Sequence, residues 1–372
     1  MKSMRIICAK QAALVAVALI LSGVALGQQT APKPDVQNAK LETHEVSGSL
    51  GSAFQNVLSQ ADKAEWIGYE VAETNGERSV CCGNYNGRSN EGCGICQLED
   101  KHGSSGGTTT KSGTAALEGG QQLMVLFRLE GKQVTRIRVA SQDCTLDAGG
   151  LAFVWLTGVK DAESVALLEG FVRNGNFGER GGHEELGHGA LTAIALHGDA
   201  TADRAMESFV APEQKEELRK QAAFWMGAAR GKAGFNSLLR MAKSDASSEV
   251  RAQVTFALSV SNEPGAVDEM IRMAHDDASS HVRGQALFWL AQKAGKKAEG
   301  AITGAIENDP DTEVKKHAVF ALSQLPKDEG VPKLIEVAQT NHNAEVRKQA
   351  MFWLGQSNDP RALEFFEKVL TR

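Results

Sequence analysis

Apolar positions in the second half of the chain recur every 32 residues. Every copy but the first has an apolar residue followed by a basic one, then Phe six positions after the apolar residue and another apolar residue two positions later. The copies begin at Leu186, Leu218, Val250, Val282, Val314 and Val346, and the first of them is degenerate. A fixed period of this length is typical of stacked units that bury their apolar faces against one another.

Each copy contains two helical patterns. Val250, Val254 and Leu258 follow the spacing i, i+4, i+8, which places them on one helical stripe. After a polar break at 262–265, a second stripe covers 266–273. The sequence therefore predicts about six pairs of antiparallel helices, stacked into an α-solenoid over residues 159–372.

The run Asp245-x4-Val250-Arg251-x2-Val254-x3-Leu258 resembles the short form of the HEAT repeat, the type also found in phycobilisome-lyase-like proteins. The resemblance implies that the helix carrying Val and Arg, here called the Val-Arg helix, is the second of each pair and lines the inner surface. It also implies a protein-binding scaffold, since such solenoids mostly serve that purpose. It names no partner.

The acidic and basic residues of the repeat predict a ladder of ion pairs that joins one repeat to the next. The alternative is a set of solvated charges that contribute ~0–1 kcal/mol each. The ladder is imperfect, because Asn341 stands where an acid is expected. Its predicted members are Asp245, Arg251, Asp277, Arg283, Asp309, Lys315 and Arg347.

Two aromatic rows follow the same period. Trp225, Trp289 and Trp353 alternate with Ala257 and Ala321, a pattern that favours large-against-small packing in neighbouring layers. The Phe row lies ~120° from the centre of the apolar stripe. Its rings either fill the seam between repeats or form an aromatic strip in a binding groove. These candidates for partner binding are Phe224, Phe256, Phe288, Phe320 and Phe352.

Helix geometry also predicts which face of the Val-Arg helices stays exposed. Its centre is expected at Ala252, Gly284, Lys316 and Lys348, with the Phe rings ~40° away. A groove along this face would run past every ring of the Phe row.

The first 45 residues are predicted to be a secretory signal followed by a linker. Residues 1–27 have a basic start, an apolar run over 12–26, and small residues at Ala25 and Gly27, as in a cleaved secretory signal. Residues 28–45, with Pro32 and Pro34, are predicted to be a polar linker. The expected location is therefore periplasmic or secreted, with no integral membrane segment beyond the signal.

Residues 46–158 are predicted to form a small β-containing domain. The pattern indicates a helix at 53–61, a strand at 66–72 and a β-hairpin with strands at 123–129 and 134–140. In an exported chain the cysteines of this domain favour a disulfide framework. A four-thiolate metal site and a Cys-x-x-Cys redox centre are the alternatives. The cysteines are Cys81, Cys82, Cys93, Cys96 and Cys144.

Two short motifs match catalytic patterns in letters but not in context. His183 and His188 are five residues apart, whereas a zinc-protease helix needs four. The G-x-S-x-G run at 103–107 lies in a Gly/Ser/Thr-rich tract, without the apolar strand that a nucleophile elbow needs. We predict no catalytic residue, no metal site and no cofactor. The net charge of −6 also argues against nucleic acid as a partner.

The favoured hypothesis is a non-enzymatic exported scaffold that binds a protein or peptide through the solenoid surface. The first alternative is an enzyme or accessory, such as a bilin-lyase-like or other tetrapyrrole-handling protein. The second is a metal-binding or redox-sensing Cys domain with the solenoid as a docking arm. We also expect the solenoid to fold when it is separated from the β domain.

Overall fold

The computed structural model describes residues 33–74, 79–81, 84–86, 95–99, 105–106, 122–175, 177 and 182–371. The predicted signal at 1–27 and two of the cysteines, Cys82 and Cys93, lie outside these residues. Residues 33–372 belong to one compact unit.

The strands come first along the chain. They are β1 (Val36–Gln37), β2 (Lys40–Glu45), β3 (Glu65–Ala72), β4 (Ser79–Cys81), β5 (Asn84–Asn86), β6 (Ile95–Gln97), β7 (Ser105–Gly106), β8 (Gln122–Glu130), β9 (Gln133–Ser141), β10 (Thr145–Asp147) and β11 (Ala152–Thr157). The main sheet has the order β2-β11-β3-β8-β9, with β11 parallel to both of its neighbours. A smaller sheet has the order β1-β10-β6-β7, and β4 pairs with β5.

Alternating side chains give the main sheet two apolar faces. Val125 and Phe127 of β8 join one buried cluster, while Met124 and Leu126 of the same strand join the other. This is the period-two alternation of a strand that is covered on both sides. The second cluster also contains Leu146 of the smaller sheet, so the two sheets share it.

The linker prediction for 28–45 is wrong for residues 36–45. β2 pairs in parallel with β11 along its whole length, and Leu41 packs against the cluster between the two sheets. Most β2 side chains are exposed, as on an edge strand, so its apolar pattern is too weak to reveal it. The predicted helix, strand and hairpin of this region are all present.

The helices mostly follow the 32-residue period. They are α1 (Leu50–Gln60), α2 (Asp161–Asn174), α3 (Gly182–Leu196), α4 (Ala200–Phe209), α5 (Glu216–Ala229), α6 (Gly231–Ser244), α7 (Ser248–Val260), α8 (Ala266–Asp276), α9 (Ser280–Ala294), α10 (Glu299–Asn308), α11 (Thr312–Ser323), α12 (Lys327–Thr340), α13 (Ala344–Gln356) and α14 (Pro360–Leu370). The Val-Arg helices are α5, α7, α9, α11 and α13, and they pack closely against one another along the stack. The predicted fold class, an α-solenoid after a small β-containing region, is confirmed.

The sheet and the solenoid share one apolar core. A single buried cluster runs from Leu50 of α1, through both faces of α3, to Phe365 of α14. Helix α3 is the degenerate first copy of the repeat, and it packs on β9. At Gly189 a Cβ atom would come within 2.6 Å of the carbonyl oxygen of Ile137, so glycine permits this close approach. The boundary predicted at 158/159 therefore lies inside a continuous core.

Candidate functional site

Ion pairs between an arginine and an aspartate link successive repeats. In each pair, Nε and Nη2 of the arginine donate to the two carboxylate oxygens of the aspartate that precedes the next Val-Arg helix, at 2.7–3.1 Å. No side chain of these pairs is more than 14% exposed. Such two-pronged, shielded pairs fix the spacing of the two repeats they join. They are Arg219–Asp245, Arg251–Asp277 and Arg283–Asp309.

Each aspartate of this ladder also accepts a hydrogen bond from the backbone. Oδ1 of Asp277 also accepts the backbone N–H of Ser279, at 2.8 Å. Burial tends to raise the pKa of Asp277, but the hydrogen bonds from Arg251 and Ser279 outweigh it and lower that pKa. The carboxylate therefore stays charged, as the pair requires.

The ladder ends at Lys315. Its ammonium donates to the carbonyl oxygen of Glu307 at 2.7 Å, because Asn341 offers a neutral amide in place of a carboxylate. Arg347 likewise donates to the backbone, at 2.8 Å from the carbonyl oxygen of Asn341. These two predicted members thus make no ladder pair, whereas Arg219, which was not predicted, makes one.

Eight aromatic rings form a continuous row across the five Val-Arg helices, which we call the aromatic strip. Neighbouring ring centroids are 4.5–5.8 Å apart. Such spacing is that of favourable ring contacts. The order along the strip is Trp225, Phe224, Phe256, Trp289, Phe288, Phe320, Trp353 and Phe352.

The alternation of Trp and Ala explains how the strip is built. Phe224 stacks directly on Phe256, and Phe288 on Phe320, with interplanar angles of 16° and 8°. At these two junctions the position after the second Phe is a fully buried Ala257 or Ala321. At the other two junctions a Trp ring fills the wider gap between Phe rings. Trp289 and Trp353 are therefore part of the strip and only partly buried, in contrast to the predicted core position.

The rings of the Phe row fill the seam between repeats and are also partly exposed. Phe224, Phe256, Phe288 and Phe320 are half-buried, since each ring packs on a neighbour in the next repeat. Phe352 at the end of the strip is 54% exposed. Each Phe of the row therefore keeps part of its surface exposed.

The predicted centre of the exposed face is wrong at two of its four positions. Ala252 is only 7% exposed, and Gly284 is buried. The ring of His317 lies over Gly284, where a Cβ atom would contact the imidazole at 3.3 Å. A small residue in this position lets the neighbouring repeat close over it.

A row of glutamines runs beside the aromatic strip. It lies three residues before the Phe row, so the two rows are adjacent on the helix surface. Its members are partly exposed, and their side-chain amides make no hydrogen bond to any described residue. His317 takes the place of one of them. We call this the Gln row: Gln221, Gln253, Gln285 and Gln349. The row repeats with the same 32-residue period, which is the signal in the sequence that could have predicted it.

The next row along the same face is acidic, and lysines pair with three of its four glutamates, whereas Glu249 lies 3.7 Å from His281. Glu217 pairs with Lys220 at 3.0 Å, and Glu313 pairs with Lys316 at 2.9 Å. The face as a whole thus combines partly exposed rings and glutamine amides with little net charge.

A buried polar cluster joins the sheet to the helices. The Tyr69 hydroxyl lies 2.8 Å from Oγ of Ser164, which lies 3.1 Å from Nε2 of His197. Arg230 donates to the carbonyl oxygen of His197 at 2.6 Å. Burial, and next the charge of Arg230, lower the pKa of His197 to about 4. Ser and His are fully buried, so the cluster is inaccessible to a substrate and has a structural role.

The cysteines are described only in part. Cys96 and Cys144 are buried between the two sheets, in the same apolar cluster. The side chain of Cys81, with Cys82 and Cys93, lies outside the described residues. The disulfide framework therefore stays a prediction.

Neither short motif builds a catalytic site among the described residues. His188 of α3 packs edge-on against Phe177, with centroids 5.0 Å apart, and the side chain of His183 lies outside the described part. Of the run at 103–107, only Ser105 and Gly106 are described, as β7. Where side chains are described, no group of three His, Cys, Asp or Glu is placed to hold a metal ion. No helix in the described ranges is long and apolar enough to cross a membrane.

The repeats match a known family. Residues 204–291 and 300–372 match the sequence profile of HEAT repeats. These segments are HEAT repeats. They cover α5 to α14 almost without interruption, including every ring of the aromatic strip and every pair of the ladder. Among curated protein sequences, none matches this chain.

Solved structures with similar folds come from several organisms. The CpcE–CpcF complex of a phycocyanin lyase from Nostoc sp. is 21% identical, with 42% of this chain and 99% of that chain covered and a TM-score of 0.33. Human deoxyhypusine hydroxylase is 15% identical, with coverages of 57% and 80% and a TM-score of 0.30. The YibA protein of Escherichia coli is 20% identical, with coverages of 58% and 82% and a TM-score of 0.37.

Proposed function

We propose that the protein is a non-enzymatic scaffold whose HEAT repeats bind an extended segment of a partner protein along the aromatic strip. The observation that carries this proposal is the continuity of the strip. Eight rings in contact cross five helices, and each half-buried Phe keeps part of its surface exposed. A monomer rarely exposes a continuous aromatic surface that serves no contact.

The Gln row supports an extended segment as the ligand. A peptide in extended form carries unpaired backbone N–H and C=O groups, which must find partners when water is removed. Side-chain amides both donate and accept, so the Gln row can satisfy such groups without reading the peptide's sequence. The rings beside the row would take the apolar side chains of that segment.

The charge pattern of the face favours a partner segment without a strong charge of its own. Three of the four glutamates in the acidic row pair with lysines of the same helices, as in Glu345 and Lys348 at 3.7 Å. No long-range attraction for a strongly charged ligand is therefore expected. Apolar side chains and backbone groups are the chemistry that the face fits.

The proposal is tested with peptides selected by display against the whole protein. We expect Phe288→Leu, which keeps an apolar side chain in the seam but removes the ring, to weaken binding of a selected peptide roughly tenfold. Calorimetry measures the affinity, and thermal melting checks that the fold is kept. Phe366→Leu, which makes the same change at a half-buried position on α14 off the strip, is the matched control. Equal affinity for both variants would contradict the proposal.

We also propose that the protein is exported and that its cysteines form disulfides. The leader-like pattern of residues 1–27 supports export, and oxidation is the usual state of thiols outside the cytoplasm. Mass spectrometry of the protein purified from the cell envelope is expected to find Gln28 as the first residue and oxidised cysteines. A protein that keeps Met1, or at least four free thiols with bound zinc, would reject this.

A further inference from the structure

The ladder breaks at one junction, between α11 and α13, and a cavity of about 560 Å³ opens there. At each intact junction an arginine meets the aspartate 26 residues later. At the broken junction the corresponding residues are Lys315 and Asn341, and both line the cavity. The lysine turns toward α10 and donates to its backbone, so no guanidinium reaches Asn341 as Arg283 reaches Asp309 at the preceding junction.

The break changes the hydrogen-bonding character of the junction. Oδ1 of Asn341 accepts the backbone N–H of Asn343 at 2.9 Å, just as Oδ1 of the ladder aspartates does. The amide Nδ2 therefore occupies the place where an aspartate has its second carboxylate oxygen. Lys315 uses one of its three donors on the carbonyl oxygen of Glu307, at 2.7 Å. At the other junctions an arginine donor meets an aspartate acceptor. At this junction Lys315 and the amide of Asn341 both present donors.

We propose that this cavity binds a carboxylate, which takes the place of the missing aspartate between Lys315 and Asn341. A carboxylate has two acceptor oxygens, one for the ammonium and one for the amide N–H, and charge-assisted bonds of this kind are the stronger ones. The cavity volume is in the range of small-ligand sites and exceeds what a lone ion needs. The carboxylate belongs either to an acidic side chain or to the C-terminus of a peptide.

The other charged groups of the cavity favour a singly charged ligand. Lys333 lies 3.1 Å from Glu336 and pairs with it, while the carboxylate of Glu307 is exposed at the surface. The two lysines and the two glutamates cancel in formal charge. A doubly charged phosphate would meet more repulsion from the glutamates than a carboxylate does.

An NMR titration of the full-length, isotope-labelled protein tests the proposal through the backbone N–H of Asn343. The probes are N-acetyl-aspartate α-amide for a side-chain carboxylate, N-acetyl-alanine for a C-terminal one, N-acetyl-asparagine amide as a neutral analogue, and inorganic phosphate. We expect saturable shifts with at least one carboxylate, and affinities about tenfold weaker for the neutral analogue and for phosphate. The stronger of the two carboxylate probes identifies the source.

A repaired ladder supplies the decisive variant. Lys315→Arg with Asn341→Asp recreates the pair found at the other junctions, so we expect a higher melting temperature and no saturable shift. Lys315→Met, which removes only the cation, is expected to lose binding and keep the fold. The proposal is overturned if neither carboxylate gives a saturable shift, if phosphate or the asparagine analogue binds as tightly, or if either variant binds like the wild type.

Discussion

One buried histidine makes the protein less stable as the pH falls into the mildly acidic range. His197 is fully buried between the sheet and the helices, and its pKa is lowered to about 4 from an ordinary value of 6.5. Between these two pH values the unfolded chain binds a proton at this site more readily than the folded protein does. The free energy of unfolding therefore falls as the pH drops from 6.5 toward 4.

We expect this loss to be about 3 kcal/mol, from the size of the pKa shift. Urea unfolding at a series of pH values measures it. His197→Gln removes the titrating group and should flatten the pH dependence over this window. His275→Gln, at a side chain that is 87% exposed, should leave it unchanged. An equal slope in His197→Gln and in the wild type would show that another group is responsible.

Individual residues also show which side-chain contacts can be predicted from the sequence and which cannot. A fixed spacing of acid and base predicts that ladder pairs exist, because the helices that carry them repeat identically. The spacing does not show that each arginine pairs with the aspartate of the following repeat, 26 residues later. The cluster of Tyr69, Ser164 and His197 has no such spacing, since its members come from three separate parts of the chain and Tyr69 is 95 residues from Ser164.

At the scale of elements, the close packing of two Val-Arg helices depends on a glycine. A Cβ atom at Gly227 of α5 would overlap the carbonyl oxygen of Ala257 in α7. Both positions are buried in the seam beneath the Phe224–Phe256 stack. Small residues here let the two Val-Arg helices approach, and that approach brings the two rings into contact.

Gly227→Ala should therefore push α5 and α7 apart and destabilise the protein by ~1–3 kcal/mol, as overpacking does. Chemical denaturation gives the free energy of unfolding. Gly355→Ala on α13 is the control, since a Cβ there meets no atom within 4 Å and alanine is the better helix former. Unchanged stability of Gly227→Ala would contradict this, because it would mean that α5 and α7 have room for the added methyl group.

Elements were predictable where one apolar period covers many residues. The helices of the solenoid follow from a pattern repeated six times, and the β8–β9 hairpin follows from two alternating runs around a tight turn. The pattern does not predict β1, β2 and β10. These strands are two to six residues long and pair with strands far away in the chain. β1 pairs with β10, and Val36 lies opposite Leu146.

At the scale of the whole molecule, the sheet serves as the first layer of the solenoid. Helix α3 repeats the Val-Arg pattern only weakly because one of its faces packs on β9 instead of on another repeat. A solenoid needs such a cover at its end, since a repeat cannot bury its apolar face alone. The expectation that residues 159–372 fold in isolation stays a prediction, and removing the sheet would uncover α3.

The binding face lies on the same continuous stack. Each Val-Arg helix adds one Phe, and all but one add a glutamine beside it, so a partner segment that follows the stack meets the same surface chemistry at each step. The length of the stack would then set how long a segment is bound.

The most direct test of this account removes the amides that are proposed to hold the partner's backbone. Gln253→Ala with Gln285→Ala alters two partly exposed side chains that hydrogen-bond to no described residue, so the melting temperature should stay at the wild-type value. The affinity for a display-selected peptide should fall roughly tenfold, as expected for losing two hydrogen bonds. Gln339→Ala, exposed on α12 away from the face, should bind like the wild type. Unchanged affinity in the double variant would contradict the claim that the partner lies along the aromatic strip.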